Sequence, residues 1–132
     1  MGSGLRGCTI LVADDERYIT ATISLKLRQV GATVITASDG CEAFELACAH
    51  LPDLICSDYQ MPLLNGLELA ARLSATPQTS HIPVLMLTTR AHRISPSQLT
   101  NTNIRALLPK PFSARELLAK LGEVVQDVGI AA

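Results

Sequence analysis

The stretch DLICSDYQMPLLNG, Asp53–Gly66, contains a predicted strand and the turn that leads into the next helix. Four of its first five residues suit a strand that is covered on both faces, and a carboxylate, Asp58, follows them directly. Pro62 and Gly66 then mark a turn. Since a carboxylate beside a buried strand needs compensating partners, the residues that the rest of the chain brings to this point determine what Asp58 can do.

Length and composition indicate one compact globular domain. The chain has 132 residues, of which 48% are hydrophobic and 17% charged, and its aromatic content of 3% predicts an aliphatic core. We expect a flexible lead over residues 1–7, a single domain over 8–128 and a tail over 129–132. A formal net charge of -1 gives no basic excess for phosphate backbones, so direct nucleic-acid binding is not expected.

Neither a membrane segment nor a metal-binding cysteine motif is visible in the sequence. No apolar run reaches the roughly 18 residues of a membrane span, and the first residues lack the apolar segment of a signal peptide. None of the four cysteines forms a C-x-x-C pair. Cys8 and Cys56 lie in apolar runs, which predicts buried, reduced thiols and a cytoplasmic location.

Strand-like and helix-like patterns alternate along the chain. Five short apolar or β-branched runs predict strands, and they are Cys8–Ala13, Thr33–Ala37, Asp53–Ser57, Pro83–Leu87 and Arg105–Leu108. Amphipathic helix patterns follow them, and three begin with a capping pair: Asp39 with Glu42, Asn65 with Glu68, and Ser113 with Glu116. Five repeats of strand and helix predict an α/β fold, a doubly wound parallel sheet with helices on both faces.

The fourth helix is expected to be short or irregular. The segment Ala91–Asn103 contains Pro96 and many Ser, Thr and Asn residues, whose side chains compete for backbone hydrogen bonds. We therefore predict a helix only over Pro96–Thr100.

Polar residues stand at the ends of four of the five predicted strands. They are Asp14 and Asp15 after the first strand, Asp58 after the third, Thr88 and Thr89 after the fourth, and Lys110 after the fifth. The carboxyl ends of parallel strands meet at one edge of a sheet, so these side chains are predicted to share a crevice.

Such a crevice has the groups needed to accept a phosphoryl group. Three carboxylates repel one another, and Mg²⁺ relieves the repulsion while leaving coordination positions for a phosphoryl oxygen. Lys110 and Thr88 supply a cation and a hydroxyl for the remaining oxygens, and Asp58 is the predicted nucleophile. Each residue alone has an ordinary structural explanation, such as a helix cap for Asp14 or Asp15, but their coincidence favours the chemical one.

With these residues identified, the sequence resembles a response-regulator receiver domain, the phosphoacceptor module of two-component signalling. The resemblance covers about Cys8–Val128 and rests on four motifs: ILVADDE, LICSDYQMPLLNG, PVLMLTT and LLPKPFSARELL. It implies a flavodoxin-like sheet with the strand order 2-1-3-4-5 and aspartyl-phosphate chemistry, in a form similar to a stand-alone chemotaxis regulator.

The resemblance also implies a metal site. Asp58 would be the phosphorylated residue and a Mg²⁺ ligand, together with Asp14, Asp15 and the backbone carbonyl of Gln60. The domain would catalyse its own phosphorylation and dephosphorylation and would not be an enzyme acting on a separate substrate.

The switching residues are implied in the same way. Thr88 and Lys110 would contact the phosphoryl group, and the peptide bond between Lys110 and Pro111 would be cis. Leu107 occupies the position where receivers often carry an aromatic switch residue, so an aromatic swing coupled to Thr88 is not expected.

The implied phosphoryl donor is a sensor histidine kinase, a phosphotransfer protein or a small acyl phosphate. The output is docking to a protein partner that the sequence does not identify, unless the chain is a piece of a longer protein. We expect a monomer or weak homodimer with no membrane or direct nucleic-acid partner. The first alternative is a phosphorylation-independent receiver-like interaction module. The second, a haloacid-dehalogenase-type hydrolase, is disfavoured because Gln60 stands where that family has an aspartate.

Overall fold

Five strands and five helices alternate in the computed structural model, which describes residues 4–89 and 94–128. The strands are β1 (Thr9–Ala13), β2 (Thr33–Ala37), β3 (Leu54–Asp58), β4 (Val84–Thr88) and β5 (Ile104–Pro109). The helices are α1 (Arg17–Gln29), α2 (Gly40–His50), α3 (Gly66–Ala75), α4 (Pro96–Thr100) and α5 (Ala114–Val128). The predicted alternation and the short fourth helix are confirmed, although the part of the helix-poor segment over residues 91–93 lies outside the described residues.

The strands form one parallel sheet in the order β2-β1-β3-β4-β5, as expected. Their carboxyl ends are nearly in register, since Ala13 pairs with Ser57 and Thr88 pairs with Pro109. The residues that end β1, β3, β4 and β5 are therefore delivered to the same edge of the sheet.

Each face of the sheet is covered by helices. Side chains alternate between the faces, so Ile10 and Val12 pack in a cluster with α1 and α5, whereas Leu11 and Ala13 pack with α2 and α3. Both clusters are largely aliphatic, as the composition predicts. Within the described residues, no helix combines the length and apolar character that crossing a membrane requires.

The helix starts follow the predicted capping pairs with one difference. The Asn65–Glu68 pair forms a complete capping box that fixes the start of α3. Asp39 accepts a hydrogen bond from the Glu42 amide, but Glu42 accepts from the amide and hydroxyl of Ser38 and not from the amide of Asp39. The extra contact ties the end of β2 to α2.

Part of the lead that was expected over residues 1–7 packs against the domain. Leu5 is fully buried in the cluster of α1 and α5, and the amide of Gly7 donates to the carbonyl of Gly31 at 3.0 Å. The sequence-based boundary missed Leu5 because one isolated apolar residue gives no periodic pattern. Residues 1–3 and the expected tail over 129–132 lie outside the described residues.

Candidate functional site

Asp58 is held at the end of the central strand β3. All five residues of the strand are buried, and the amide of Tyr59 donates to the carbonyl of Leu87 at 2.9 Å, which extends the pairing with β4 past Asp58. The amide of Gly66 donates to the carbonyl of Tyr59 at 2.7 Å. The backbone on the carboxyl side of Asp58 is therefore fixed by hydrogen bonds to β4 and α3.

Gly66 is required by close packing. A Cβ atom at this position would lie 2.5 Å from the carbonyl oxygen of Asp58 and 2.5 Å from the sulfur of Met86, distances that side chains do not tolerate. The sequence suggested only a turn here. The structure shows that the first residue of α3 rests directly against the strand end that carries Asp58.

Three carboxylates converge at the edge of the sheet. One oxygen from each of Asp14, Asp15 and Asp58 lies within 4.8 Å of the other two. Asp14 and Asp58 are buried, at 1% and 6% exposure, whereas Asp15 is exposed. The predicted acidic cluster is therefore present, with two carboxylates withdrawn from solvent and one facing it.

Asp14 is anchored by the backbone. Its Oδ1 accepts a hydrogen bond from the amide of Glu16 at 2.9 Å, and its own amide donates to the carbonyl of Ala37 at 3.1 Å. The residue at the N-terminal cap of α1 is Glu16. The ordinary explanation of Asp14 as the cap of this helix is therefore wrong.

Lys110 bridges the carboxylates. Its Nζ lies 2.9 Å from Oδ1 of Asp58, 3.4 Å from Oδ2 of Asp14 and 3.9 Å from Oε1 of Glu16. The amide of Lys110 donates to the carbonyl of Thr88 at 3.0 Å, and the peptide bond between Lys110 and Pro111 is cis, as expected. The end of β5 thus places one ammonium group against the ends of β1 and β3.

Burial and mutual repulsion destabilise the ionised forms of the carboxylates in this cluster. Burial raises the pKa of Asp58 above the usual carboxyl range, and the charges of Asp14 and Asp15 add to the effect, against the opposing influence of Lys110. Burial likewise raises the pKa of Asp14. Burial alone would lower the pKa of Lys110, but its hydrogen bond to Asp58 and the two carboxylate charges raise it. One ammonium group therefore does not fully compensate the carboxylates.

A cleft of about 420 Å³ opens above this cluster. It is lined by Asp15, Glu16, Asp58, Tyr59, Gln60, Thr88, Thr89 and Lys110. The donors around it are carboxylate, hydroxyl and carbonyl oxygens, the ligands that a hard divalent cation prefers. The incompletely compensated negative charge also favours a cation, so the residues fit the Mg²⁺ that the resemblance implies.

Most of the predicted site residues line this cleft. Asp14 is not part of its lining but contacts Lys110, Pro111 lines a groove between α1 and α5, and Leu107 lies elsewhere. Leu107 is half-buried and packs in the cluster of α2 and α3, one layer below the edge. Thr88, by contrast, is the buried last residue of β4 and lines the cleft. Glu16 was not predicted as a site residue, although it contacts Lys110 and lines the cleft. Its position directly after the Asp14–Asp15 pair was the available signal.

Cys56 lies on β3 two residues before Asp58 and is fully buried. Burial raises the pKa of its thiol to about 12, and the negative charges of Asp14 and Asp58 contribute to the increase. The thiol is therefore neutral and inert under ordinary conditions, as the sequence predicted.

Comparison with protein families gives one consistent assignment. The model of the response regulator receiver domain matches residues 10–122. The phosphate regulon transcriptional regulatory protein PhoB of Pseudomonas aeruginosa is 35% identical over 123 residues, which cover 93% of this chain and 54% of PhoB. The alkaline phosphatase synthesis regulator PhoP of Bacillus subtilis is 37% identical over 93% of this chain and 50% of PhoP. The chain thus spans about half the length of these relatives.

Solved structures of similar shape are receivers as well. Chemotaxis protein CheY4 of Vibrio cholerae superposes with a TM-score of 0.78 at 33% identity, over 89% of this chain and 98% of CheY4. The receiver domain of sensor histidine kinase PA1611 from Pseudomonas aeruginosa, described with magnesium in its active-site cleft, superposes with a TM-score of 0.79 at 25% identity, over 93% and 98% of the two chains. The chain belongs to the response regulator receiver domain family, the phosphoacceptor modules of two-component signalling.

Proposed function

We propose that the chain receives a phosphoryl group on the carboxylate of Asp58 and signals through the resulting change at the sheet edge. The donor is the phosphohistidine of a sensor histidine kinase or phosphotransfer protein, or a small acyl phosphate. The observation that carries the proposal is the convergence of three carboxylates and one ammonium group in an open cleft, with Lys110 Nζ 2.9 Å from Asp58 Oδ1.

The transfer needs one nucleophile and several groups that stabilise charge. A carboxylate oxygen of Asp58 forms a bond to phosphorus while the P–N bond of the donor breaks, and the electron pair leaves with the imidazole. Lys110 is already in contact with the nucleophile and is positioned to pair with a phosphoryl oxygen. Thr88, at the adjacent strand end, has a hydroxyl suited to donate to another oxygen.

The acidic residues provide a place for Mg²⁺. Asp14, Asp15, Asp58 and the backbone carbonyl of Gln60 would hold the ion, which would neutralise the negative charges of the phosphoryl oxygens and of the carboxylates. Asp14 is oriented by the amide of Glu16. Because these groups also surround any attacking water, the domain catalyses its own dephosphorylation and is not a conventional enzyme.

The phosphorylated domain signals by docking to a partner protein of the signalling system. Phosphorylation replaces the Lys110–Asp58 contact by contacts to the phosphoryl group, which shifts the population of nearby loop conformations. The cytoplasmic location inferred from the free cysteines is part of this proposal.

The test is phosphorylation followed by intact mass spectrometry. Wild-type protein with Mg²⁺ and acetyl phosphate is expected to gain one phosphoryl group, and Asp58→Asn is expected to gain none. Asp127→Asn, which removes an exposed carboxylate on α5, is the matched control and is expected to behave as wild type. Incorporation into Asp58→Asn, or none into wild type, contradicts the proposal.

A Mg²⁺ titration separates this function from a phosphorylation-independent interaction module. Tyr59 lines the cleft and the chain has no Trp, so tyrosine fluorescence in a Tyr18→Phe background reports on the site. We expect saturable Mg²⁺ binding in the millimolar range that Asp58→Asn weakens. A module with a degenerate site would show no binding in that range.

A further inference from the structure

The loop between β3 and α3 carries one group of the proposed metal site, and one end of this loop is anchored by α3. Gln60 lines the cleft beside Asp58, and its backbone carbonyl is a proposed Mg²⁺ ligand. The amide of Gly66, the first residue of α3, donates to the carbonyl of Tyr59 at 2.7 Å. A second anchor within the loop would therefore determine how the peptide groups between the two anchors are oriented.

The second anchor is Gly40, the first residue of α2. Its amide donates to the carbonyl of Pro62 at 3.4 Å, and the amide of Leu64 donates to the same oxygen at 2.9 Å. The contact between Pro62 and Leu64 closes a γ-turn in which Leu63 has a φ of 73°. Such a strained turn persists only where neighbouring groups hold it, and α2 supplies one of these groups.

Close packing explains why residue 40 has no side chain. A Cβ atom at Gly40 would collide with the backbone carbonyl oxygen and with the Cβ atom of Leu64. A change of rotamer cannot relieve the contact with the carbonyl oxygen, because that atom belongs to the backbone. Any residue other than glycine therefore requires either α2 or the loop to move.

The start of α2 is held more firmly than the loop. The Asp39 carboxylate accepts from the amide of Glu42 at 2.7 Å, and the Glu42 carboxylate accepts from the amide of Ser38 at 2.7 Å, which ties α2 to the end of β2. Ala43, in the first turn of α2, is fully buried. Leu63, in contrast, is 74% exposed, so the loop can move outward into solvent. A side chain at position 40 should therefore displace the loop and not the helix.

We propose that Gly40 is a positioning residue for the metal site. Its missing side chain lets α2 hold Pro62, so that the short segment of Gln60 and Met61 between the two anchors keeps the carbonyl of Gln60 at the cleft. Gly40 is not one of the described residues that line the cleft, so it acts through the loop. The role rests on the proposed function, because it concerns the Mg²⁺ that assists phosphorylation of Asp58.

The first measurement concerns the loop without a metal. In EDTA, Gly40→Ala is expected to shift the amide NMR signals of Gln60 and Met61 from their wild-type positions. The control is Asn103→Ala, which removes the side-chain donor to the carbonyl of Ile82 at the opposite edge of the sheet. It lowers stability without contacting the loop, so it is expected to leave the signals of Gln60 and Met61 unchanged.

A Mg²⁺ titration of the same three proteins measures the consequence for binding. Gly40→Ala is expected to raise the dissociation constant about tenfold, within the range that groups supporting a metal ligand contribute. Asn103→Ala is expected to bind as wild type does. If Gly40→Ala is not fully folded in buffer, all three titrations are made with trimethylamine N-oxide, which favours the folded state. Binding by Gly40→Ala as tight as that of wild type overturns the role of Gly40.

Phosphorylation by acetyl phosphate separates positioning of the metal ligand from damage to the reacting groups. In Gly40→Ala, the Mg²⁺ concentration that gives half the maximal rate should rise about tenfold, whereas the rate at saturating Mg²⁺ should stay within about threefold of wild type. A fall of about tenfold in the saturated rate, with an unchanged Mg²⁺ requirement, contradicts the role. If wild type binds no Mg²⁺ or gains no phosphoryl group, the proposed function fails and this role fails with it.

Discussion

The two edges of the sheet differ in how completely their polar groups are satisfied by partners. At the amino edge, where the strands begin, the side chain of buried Asn103 donates to the carbonyl of Ile82 and accepts from the hydroxyl of Ser74. The carboxylate of Asp53 accepts from the amide of Thr9 at 2.8 Å. At the carboxyl edge, burial and crowding raise the pKa of two carboxylates, and one lysine compensates them only in part.

The difference shows which edge serves stability and which serves function. Buried polar groups whose hydrogen bonds are satisfied fix the positions of α3, β4 and β5 relative to one another. Crowded carboxylates cost stability, and such a cost is expected where a ligand relieves it. Substitutions at the two edges should therefore change the free energy of unfolding with opposite signs.

The largest effect is expected at the amino edge. Asn103→Ala leaves the buried carbonyl of Ile82 without its side-chain donor and removes the acceptor of the Ser74 hydroxyl, so it should lower the free energy of unfolding by about 3 kcal/mol. Urea denaturation measures the change. Asn101→Ala, at the exposed end of α4, is the control and should stay within about 0.5 kcal/mol of wild type. An equally small effect of Asn103→Ala would remove the contrast between the edges.

Gly66→Ala tests the packing beneath the carboxyl edge. The added Cβ would meet the carbonyl of Asp58 and the sulfur of Met86, so we expect a loss of about 2 kcal/mol and slower phosphorylation of Asp58. Gly122→Ala, inside α5, is the comparison and should gain up to about 1 kcal/mol from helix propensity. If the Gly66 variant is as stable as wild type, the close approach of α3 to β3 is not limiting.

Asp58→Asn is expected to stabilise the protein in EDTA at pH 7, by about 1 kcal/mol, because it removes one crowded buried charge. Addition of Mg²⁺ should stabilise wild type more than the variant, and so reduce the difference. Thermal unfolding with and without Mg²⁺ measures both effects. Destabilisation in EDTA would mean that the contact with Lys110 outweighs burial and repulsion.

The pH dependence follows from the same raised pKa values. The folded protein keeps protons on Asp14 and Asp58 at pH values where the unfolded chain, with ordinary carboxyl groups, has lost them. The unfolded state then binds fewer protons, so in EDTA these two groups lower stability as pH rises from about 4 through their raised pKa values. Asp58→Asn should show a smaller decrease over that range, and an unchanged decrease would contradict the assignment.

The smallest effect is expected in the loop after Asp58. Leu63 is 74% exposed and has a φ of 73°, in the left-handed region that suits glycine. Leu63→Gly should therefore stabilise the protein by about 0.5 kcal/mol, measured by urea denaturation. Leu25→Gly, an exposed leucine inside α1, should instead destabilise it by up to about 1 kcal/mol. A loss of stability in Leu63→Gly would show that the loop backbone is not strained.

The residues alone predict a parallel α/β sheet with polar side chains at one edge, and the family resemblance adds the strand order and the roles of those side chains. Alternating periodicity requires a parallel sheet, and polar residues after its strands share one edge. The contact of Glu16 with Lys110 and the burial of Leu5 were missed because each depends on a neighbour distant in the chain.

Cys56 gives the protein a spectroscopic probe of its own site. Its thiol stays protonated because the nearby carboxylates and full burial raise its pKa to about 12. The S–H bond is therefore an intact oscillator inside the electric field of Asp14 and Asp58, and its infrared stretching frequency reports that field. Once the other free cysteines, Cys8, Cys41 and Cys48, are replaced by Ala, binding of a cation or a change of charge at Asp58 can be followed through this band.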